Sequence, residues 1–252
     1  MNSATNNWWK EAFGQMYLDA WEPVYSDVRA KEEVAFLLRE LKLKKGTTLL
    51  DAPCGWGRHS IEFSKSGLKV AGLDYSSVLL EAARERAQSE GVVITFKKMD
   101  LRSFQLQEEF DAAVILGNSF GYFSDKENEK VIRNFDRAIK KGGSLVLDLA
   151  NLAGMLQHRT DNNGQTISTT HGKIVVRETE FDPCLLTSSL EWEVTFDKRV
   201  STIRGRLRFY TFPEIKRILL ENNFATSKVL GSFDGSAYTI GSPRMIIFAK
   251  KQ

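Results

Sequence analysis

The chain has 252 residues, 42% hydrophobic and 27% charged, with 35 Lys and Arg against 32 Asp and Glu. That is enough apolar material for one large domain or a domain with an insertion, and its interspersed charges lack the basic stripe of a duplex-binding surface. The start, Met1-Asn2-Ser3-Ala4, has no signal-peptide core, no apolar run approaches the roughly 18 residues that span a bilayer, and Cys54 and Cys184 form no metal-ligand spacing. The expectation is a cytoplasmic protein with reduced thiols, no membrane contact and no metal.

Trp8, Trp9, Phe13, Met16, Tyr17 and Trp21 recur at helical spacing and predict one aromatic amphipathic helix. A second helix is expected over 27–42, with Val34, Leu37, Leu38 and Leu41 on one face and Lys44-Lys45-Gly46 closing it. Together, residues 1–45 read as a helical lid. Strands are then expected near 47–52, 68–73, 93–98, 110–116 and 144–150, separated by helices near 57–65, 76–89 and 125–140. The last of these helices starts in a capping box, Ser124 to Glu127, and should end at Gly142-Gly143. Repeated βα units imply a parallel sheet covered by helices on both faces.

The period changes after Asn151. Leu190-Glu191-Trp192-Glu193-Val194-Thr195-Phe196 alternates strictly, and 173–181 and 199–210 also read as strands, with turns at Asp182-Pro183 and Asp197-Lys198. An antiparallel insertion of three or four strands is expected over 152–210. Thr211-Phe212-Pro213-Glu214 opens a helix that ends at Asn222-Asn223, and strands near 226–232 and 243–250 complete the chain. Residues 46–151 and 211–252 therefore read as the core of one structural domain.

The chemistry gathers at the strand ends. Leu49-Leu50-Asp51-Ala52-Pro53-Cys54-Gly55-Trp56-Gly57-Arg58-His59-Ser60 is an apolar strand ending in a carboxylate, a glycine-paired loop and a helix start. Such a turn lets a ligand approach the backbone and presents unpaired N–H groups. Asp74, Asp100 and the loop Gly117-Asn118-Ser119-Phe120 fall at the ends of the next strands, where ligands of open α/β sheets bind. A dinucleotide would want a third glycine where Ser60 stands and would set its pyrophosphate beside Asp51; an ammonium-bearing nucleoside tolerates that acid. Asp74 suits ribose hydroxyls in either ligand, so an NAD-dependent oxidoreductase stays open as an alternative.

The first run, followed by Val70-Ala71-Gly72-Leu73-Asp74-Tyr75-Ser76-Ser77, Met99-Asp100-Leu101 and Phe110 through Phe123, resembles the class I S-adenosylmethionine-dependent methyltransferases over about residues 33–150. The likeness is to the small-molecule, N-methyltransferase-like branch. It implies an α/β, Rossmann-like, seven-stranded and mostly parallel sheet with the last strand antiparallel and an antiparallel β insertion after strand five. It implies S-adenosylmethionine as cofactor, and methyl transfer to nitrogen, or oxygen, of a small metabolite. On this resemblance Gly55 and Gly57 let the methionine portion lie against backbone, and Asp51 organises the loop around the ammonium. Asp74, with Tyr75 beside it, takes the ribose hydroxyls. Asp100 takes the adenine amino group, Leu101 offers its N–H to the ring, and Leu116 its carbonyl to the ammonium. Arg58 either pairs with the cofactor carboxylate or is solvated, and Tyr17 or Tyr25 of the lid would touch that carboxylate.

No His/Asp pair reads as a base and no carboxylate set suggests magnesium, which favours an amine acceptor. Tyr17, Asn118, His171 and Tyr210 are the candidates for a catalytic role. Trp9, Asn118, Phe120, Tyr122, Arg206 and Arg208 are the candidates for substrate contact. Arg204, Arg206 and Arg208 alternate with Tyr210 on one strand face and either line an anion pocket or face water. His59 reads as packed or capping, Cys54 as a small packing residue, and His158 and His171 as surface histidines. The Gly117-Asn118-Ser119-Phe120 loop has neither the Pro-Pro-aromatic motif of base-amine methylation nor a cysteine for cytosine C5 chemistry. A small molecule is the expected partner, nucleic acid is not, and a monomer or homodimer is open. A non-catalytic cofactor-binding module is the other alternative.

Overall fold

The computed structural model describes residues 7–157, 165–168, 172–196 and 199–252. Two short helices, α1 (Trp8–Ala12) and α2 (Gln15–Trp21), precede α3 (Asp27–Leu41). The single helix expected from the aromatic spacing is broken, because Gly14 takes an extended backbone (φ −102, ψ −162) at the start of α2. Ser26 caps α3 by accepting from the Arg29 N–H at 3.3 Å. The helix matches the expected span of 27–42, but its stop is a left-handed Lys42 (φ 54) in place of Lys44-Lys45-Gly46. Gly46 instead donates its N–H to the Gly67 carbonyl, leading the chain into the sheet.

The core alternates as expected through β1 (Thr48–Asp51), α4 (Arg58–Lys65), β2 (Lys69–Asp74), α5 (Ser77–Ser89), β3 (Thr95–Lys98), β4 (Phe110–Ile115), α6 (Asp125–Ala138) and β5 (Ile139–Ala150). Next come α7 (Leu152–Gln157), β6 (Gln165–Ser168), β7 (Gly172–Asp182), β8 (Thr187–Phe196) and β9 (Arg199–Arg208). The chain closes through α8 (Phe212–Glu221), β10 (Phe224–Leu230) and β11 (Arg244–Lys251). The capping boxes predicted for α6 and α8 are both formed. The end expected for α6 at Gly142-Gly143 is not observed. Ile139 already pairs with Phe110, and the glycines lie within β5 where its register against β4 shifts. Helix α7 was not expected from the pattern, and β6 supplies the fourth strand of the expected three or four, at a position the pattern did not mark. The Asp197-Lys198 turn lies outside the described residues.

Seven strands form one sheet in the order β10-β11-β5-β4-β1-β2-β3. The last strand, β11, runs antiparallel to both neighbours, and the pairs among β1 to β5 are parallel, which is the expected topology. Strand alternation divides the core. Leu50, Leu73, Ile115 and Leu147 meet Ile132 and Phe135 of α6, while Leu49, Val70, Val114 and Val146 meet Leu37 of α3 and Phe63 of α4. The order reverses between β1 and β4, so the loops after β1, β2 and β4 open into one crevice.

The insertion is a four-stranded antiparallel sheet, β6-β7-β8-β9. Ala20 of α2 packs on its Ile174 and Val194. Trp8 of α1 lies so close to Gly205 that a Cβ there would sit 2.6 Å from the indole. Lid and insertion therefore share a packed face. Among the described residues no helix is long and apolar enough to cross a membrane, and no group of three His, Cys, Asp or Glu is placed to hold a metal.

Asn151 stands where the chain leaves the core. Its Nδ2 donates to the carbonyls of Thr239 (3.1 Å), Ile240 (2.9 Å) and Ser242 (2.8 Å), and its Oδ1 accepts from the Tyr238 hydroxyl at 2.9 Å. Replacing it by alanine removes four hydrogen bonds and strands the buried Ser242 carbonyl, at about 2 kcal/mol or more. Asn151→Ala should lower the unfolding free energy in urea by that amount. A change below about 0.5 kcal/mol, the scatter of ordinary surface substitutions, would contradict the anchoring role.

Candidate functional site

The loop after β1 bends through Gly55 (φ 54) and Gly57 (φ 79). A Cβ at Gly57 would lie 3.1 Å from the Ala83 side chain and 3.3 Å from Phe96, so φ and space both call for glycine there. At Gly55 a Cβ would meet nothing within 4 Å, leaving the backbone open to the crevice. Beneath the loop Asp51 is almost fully buried and accepts from the Ser60 hydroxyl at 2.5 Å. Burial raises its pKa, with His59 and Ser60 opposing the rise.

Asp74 ends β2. One carboxylate oxygen accepts from the Gly55 N–H and the other from the Ser76 N–H, each at 2.8 Å. Burial lifts its pKa to about 6 against the pull of those donors. Asp100, after β3, is gripped by Arg102 through the backbone N–H (2.9 Å) and guanidinium (2.8 Å), while Arg102 also reaches Glu127 at 2.7 Å. Partial burial would raise the Asp100 pKa, but Arg102 outweighs it and the net direction is down.

Aromatic side chains form the roof. Trp9 meets Tyr75 and Phe123 edge-on at 4.7 and 5.3 Å, and the Arg102 guanidinium stacks 5.0 Å from the Trp9 ring. Phe13 meets Tyr17 at 5.0 Å and Tyr122 at 5.6 Å. Tyr25 lies between Trp21 and Trp56, with the Arg58 guanidinium 4.7 Å from its ring. The Ser76 hydroxyl donates to the Phe13 carbonyl at 2.6 Å, fastening the lid to the loop after β2. Beneath the roof lies a cleft walled by these rings and floored by the loops after β1, β2, β3 and β4.

Eleven of the residues singled out from the sequence line this cleft: Trp9, Tyr17, Tyr25, Gly55, Arg58, Asp74, Tyr75, Asp100, Leu101, Leu116 and Tyr122. Asp51 and Gly57 stand behind its wall. Four other expectations are corrected. Asn118 turns away (φ 58) and accepts from the Ala150 N–H at 2.8 Å, clamping its loop to β5. Phe120 is buried against Tyr210 at 5.3 Å. Tyr210 is itself sequestered: its hydroxyl donates to Asp125 at 2.8 Å and accepts from Asn128 at 3.0 Å, and burial drives its pKa well up. The arginines of β9 do not line the cleft. Arg204 pairs with Glu191 at 2.9 Å, Arg208 with Asp125 at 3.1 Å and Glu214 at 2.6 Å, and Arg206 donates to Thr187. His158 and His171 lie outside the described residues.

Gly117 and Ser119 of the expected loop also line the cleft, while Phe13, Trp56, Met99 and Phe123 line it without having been assigned to the site. His59, expected to be packed or capping, is buried on the cleft wall with Nε2 2.6 Å from Glu33 Oε2. A carboxylate within the apolar stripe of α3 was the available signal for that pair.

Burial holds both cleft phenols up, Tyr17 well above its ordinary value and Tyr122 at about 12, so both are protonated at neutral pH. Three donors of the cleft residues, Trp9 Nε1, Trp56 Nε1 and Arg58 Nη1, are buried without a hydrogen-bond partner. Each such donor costs roughly 1–3 kcal/mol, which a ligand acceptor recovers.

Residues 49–143 match the family model described as a methyltransferase domain. The glycine/sarcosine N-methyltransferase of Halorhodospira halochloris is 32% identical over 61% of this chain and 59% of its own length. The chain thus spans less than two thirds of that relative. Of solved structures, the CcbJ methyltransferase from Streptomyces caelestis superposes with a TM-score of 0.77 at 18% identity, covering 90% of this chain and 99% of that one. CalS10 from Micromonospora echinaspora, an amino pentose methyltransferase with S-adenosylmethionine bound, gives 0.71 at 21% identity over 94% and 97%. These likenesses establish the fold.

The Glu33–His59 pair makes a pH prediction. Burial would raise the Glu33 pKa, but His59 and Arg29 overcome it and hold it at about 2, below its ordinary 4.5. A carboxylate with a depressed folded pKa adds stability above its unfolded pKa and loses it as pH falls through the folded one. Glu33→Gln should therefore cost up to about 3 kcal/mol at pH 7. The difference should shrink between pH 4.5 and 2, as read by denaturant titration at each pH.

Proposed function

We propose that this chain, which carries a methyltransferase domain on the class I fold, binds S-adenosylmethionine in the lidded cleft and transfers its methyl group to a nitrogen of a small-molecule amine. The observation that carries the reading is the donor set at one cleft: unpaired Arg58 Nη1 and Trp56 Nε1 near the open Gly55 backbone, with Asp74 and Asp100 at the neighbouring strand ends. These residues fit the cofactor. Arg58 and Trp56 suit its carboxylate, Asp74 its ribose hydroxyls, and the Asp100 loop with Trp9, Tyr75 and Phe123 its adenine. The acids account for the positive ammonium and sulfonium being welcome here.

When bound, the sulfonium supplies an electrophilic methyl group. The chain's contribution is alignment and a dry pocket. Tyr17 and Tyr122, held protonated, offer hydroxyls that orient an acceptor without taking its proton. An amine that arrives neutral needs no base, which agrees with a cleft whose carboxylates sit beneath the cofactor site. The relatives support nitrogen as acceptor: the names of the Halorhodospira enzyme and of CalS10 both specify amines. On this reading the protein works in the cytoplasm on a soluble metabolite, as a monomer or homodimer.

Isothermal titration with S-adenosylhomocysteine tests the cofactor site. Asp74→Ala should weaken binding at least tenfold; unchanged affinity removes the ribose assignment. Because the Asp74 pKa is raised to about 6 and the ribose donors need the ionised form, wild-type affinity should fall as pH drops below about 6. Asp74→Asn should flatten that profile. Arg58→Met should weaken S-adenosylhomocysteine and leave methylthioadenosine, which lacks the carboxylate, unaffected. Equal losses for both ligands would refute the Arg58 pairing.

A further inference from the structure

The residues after β3 form a tight turn in which the Asp100 carbonyl accepts from the N–H groups of Ser103 (2.9 Å) and Phe104 (3.0 Å). Asn134 of α6 pins the turn from behind, its Nδ2 donating to the Leu101 carbonyl at 2.9 Å. The backbone at this end of the cleft is thus set by α6. What those bonds leave free is the rotation of the Asp100 carboxylate about its own side chain.

Arg102 removes that freedom. Its backbone N–H and Nε donate to Asp100 Oδ1 at 2.9 and 3.1 Å, and its Nη2 donates to Oδ2 at 2.8 Å. An ionised carboxylate has about four acceptor positions, so Oδ2 keeps room for one further donor. The remaining nitrogen, Nη1, donates to Glu127 Oε1 at 2.7 Å, and Glu127 is itself fixed by its capping box with Ser124. The guanidinium carbon also lies over two rings, Trp9 of the lid at 5.0 Å and Phe123 at 4.8 Å, within cation–π distance. One group therefore ties the acid to α6 through hydrogen bonds and to the lid through a ring contact. Lysine carries the same charge but has neither the fork nor the flat surface.

An acid oriented in this way discriminates between purines. A 6-aminopurine can donate from its exocyclic amino group to the carboxylate, whereas a 6-oxopurine puts a carbonyl oxygen in that place and is repelled. We propose that Arg102 is the positioning residue for base selection. By holding the Asp100 carboxylate in one plane it makes the cleft choose a 6-amino over a 6-oxo purine, and through its contact with Trp9 it makes that choice depend on the lid. Arg102 stands behind the cleft wall and acts through Asp100. The inference rests on the cofactor-binding half of the methyl-transfer reading.

Isothermal titration of the full-length chain with S-adenosylhomocysteine and with S-inosylhomocysteine, its deaminated 6-oxo counterpart, reads the selectivity. The wild-type chain should prefer the amino compound by about tenfold or more. Arg102→Lys should bring the ratio within about threefold, because the charge survives and the fork does not. Trp9→Leu probes the contact from the lid side: it should lower the ratio in the wild-type chain and leave it unchanged in Arg102→Lys. Thermal unfolding checks that each variant is folded, and a loss of stability alone weakens both ligands equally. A wild-type ratio kept in Arg102→Lys overturns the proposal. So does tighter S-adenosylhomocysteine binding in that variant, which would make Arg102 a competitor of the base. Equal losses from Trp9→Leu in both backgrounds overturn the dependence on the lid. If the wild-type chain binds neither compound, the cofactor reading falls and this inference with it. If it binds S-adenosylhomocysteine without preference, or the preference survives Arg102→Lys, only this inference falls.

Discussion

The Asp74 carboxylate ties together the parts that make the site. Its two oxygens bind the backbone N–H groups of Gly55 and Ser76, joining the glycine loop to the start of α5. Ser76 extends the tie through its hydroxyl to Phe13 in the lid. The carboxylate sits nearly dry and therefore bears a large desolvation cost, offset by charge-assisted hydrogen bonds to the backbone. Such an arrangement stabilises the chain less than a hydrocarbon packing of equal volume would. Its value is positional: it sets where the open Gly55 backbone lies relative to the strand ends.

Above that frame the lid is held by ring contacts. Aromatic pairs contribute about 0.5–1.5 kcal/mol each beyond the area they bury. Those of Trp9, Phe13, Tyr17 and Tyr25 reach loops after β1, β2 and β4 alike. Short helices of five and seven residues could not persist alone in water, so α1 and α2 owe their form to this packing. The roof is thus a tertiary product assembled on the core.

The sheet was legible because its signals are local and repeated. Apolar runs of strand length, two capping boxes and acids at successive strand ends identify elements within a few residues of each other. What the pattern hid depends on one residue or on distance. Gly14 breaks a helical period that five aromatics and Met16 otherwise sustain, and Gly142-Gly143 imitates a helix end while serving a register shift inside β5. The Glu33–His59 contact spans 26 positions and two helices. Alternation put Arg204, Arg206 and Arg208 on one face but was silent about Glu191, Asp125 and Glu214, which claim two of the three. Tyr210 and Asn118 have polar side chains in plausible places, yet each is turned to neighbours that only the folded chain supplies.

The shared face of lid and insertion carries a consequence for turnover. Trp8 rests on Gly205, and Ala20 on Ile174 and Val194, so α1 and α2 cannot swing away from the core without parting from the four-stranded sheet or taking it along. On the proposed methyl-transfer reading, product exchange is then governed partly by residues that never touch cofactor or acceptor. A methyl group added to or removed from β7 or β8 would alter the work of opening, and hence the residence time of a spent cofactor. Faster or slower cycling would then have a dial on the outer sheet, separate from the residues that choose the molecule to be modified.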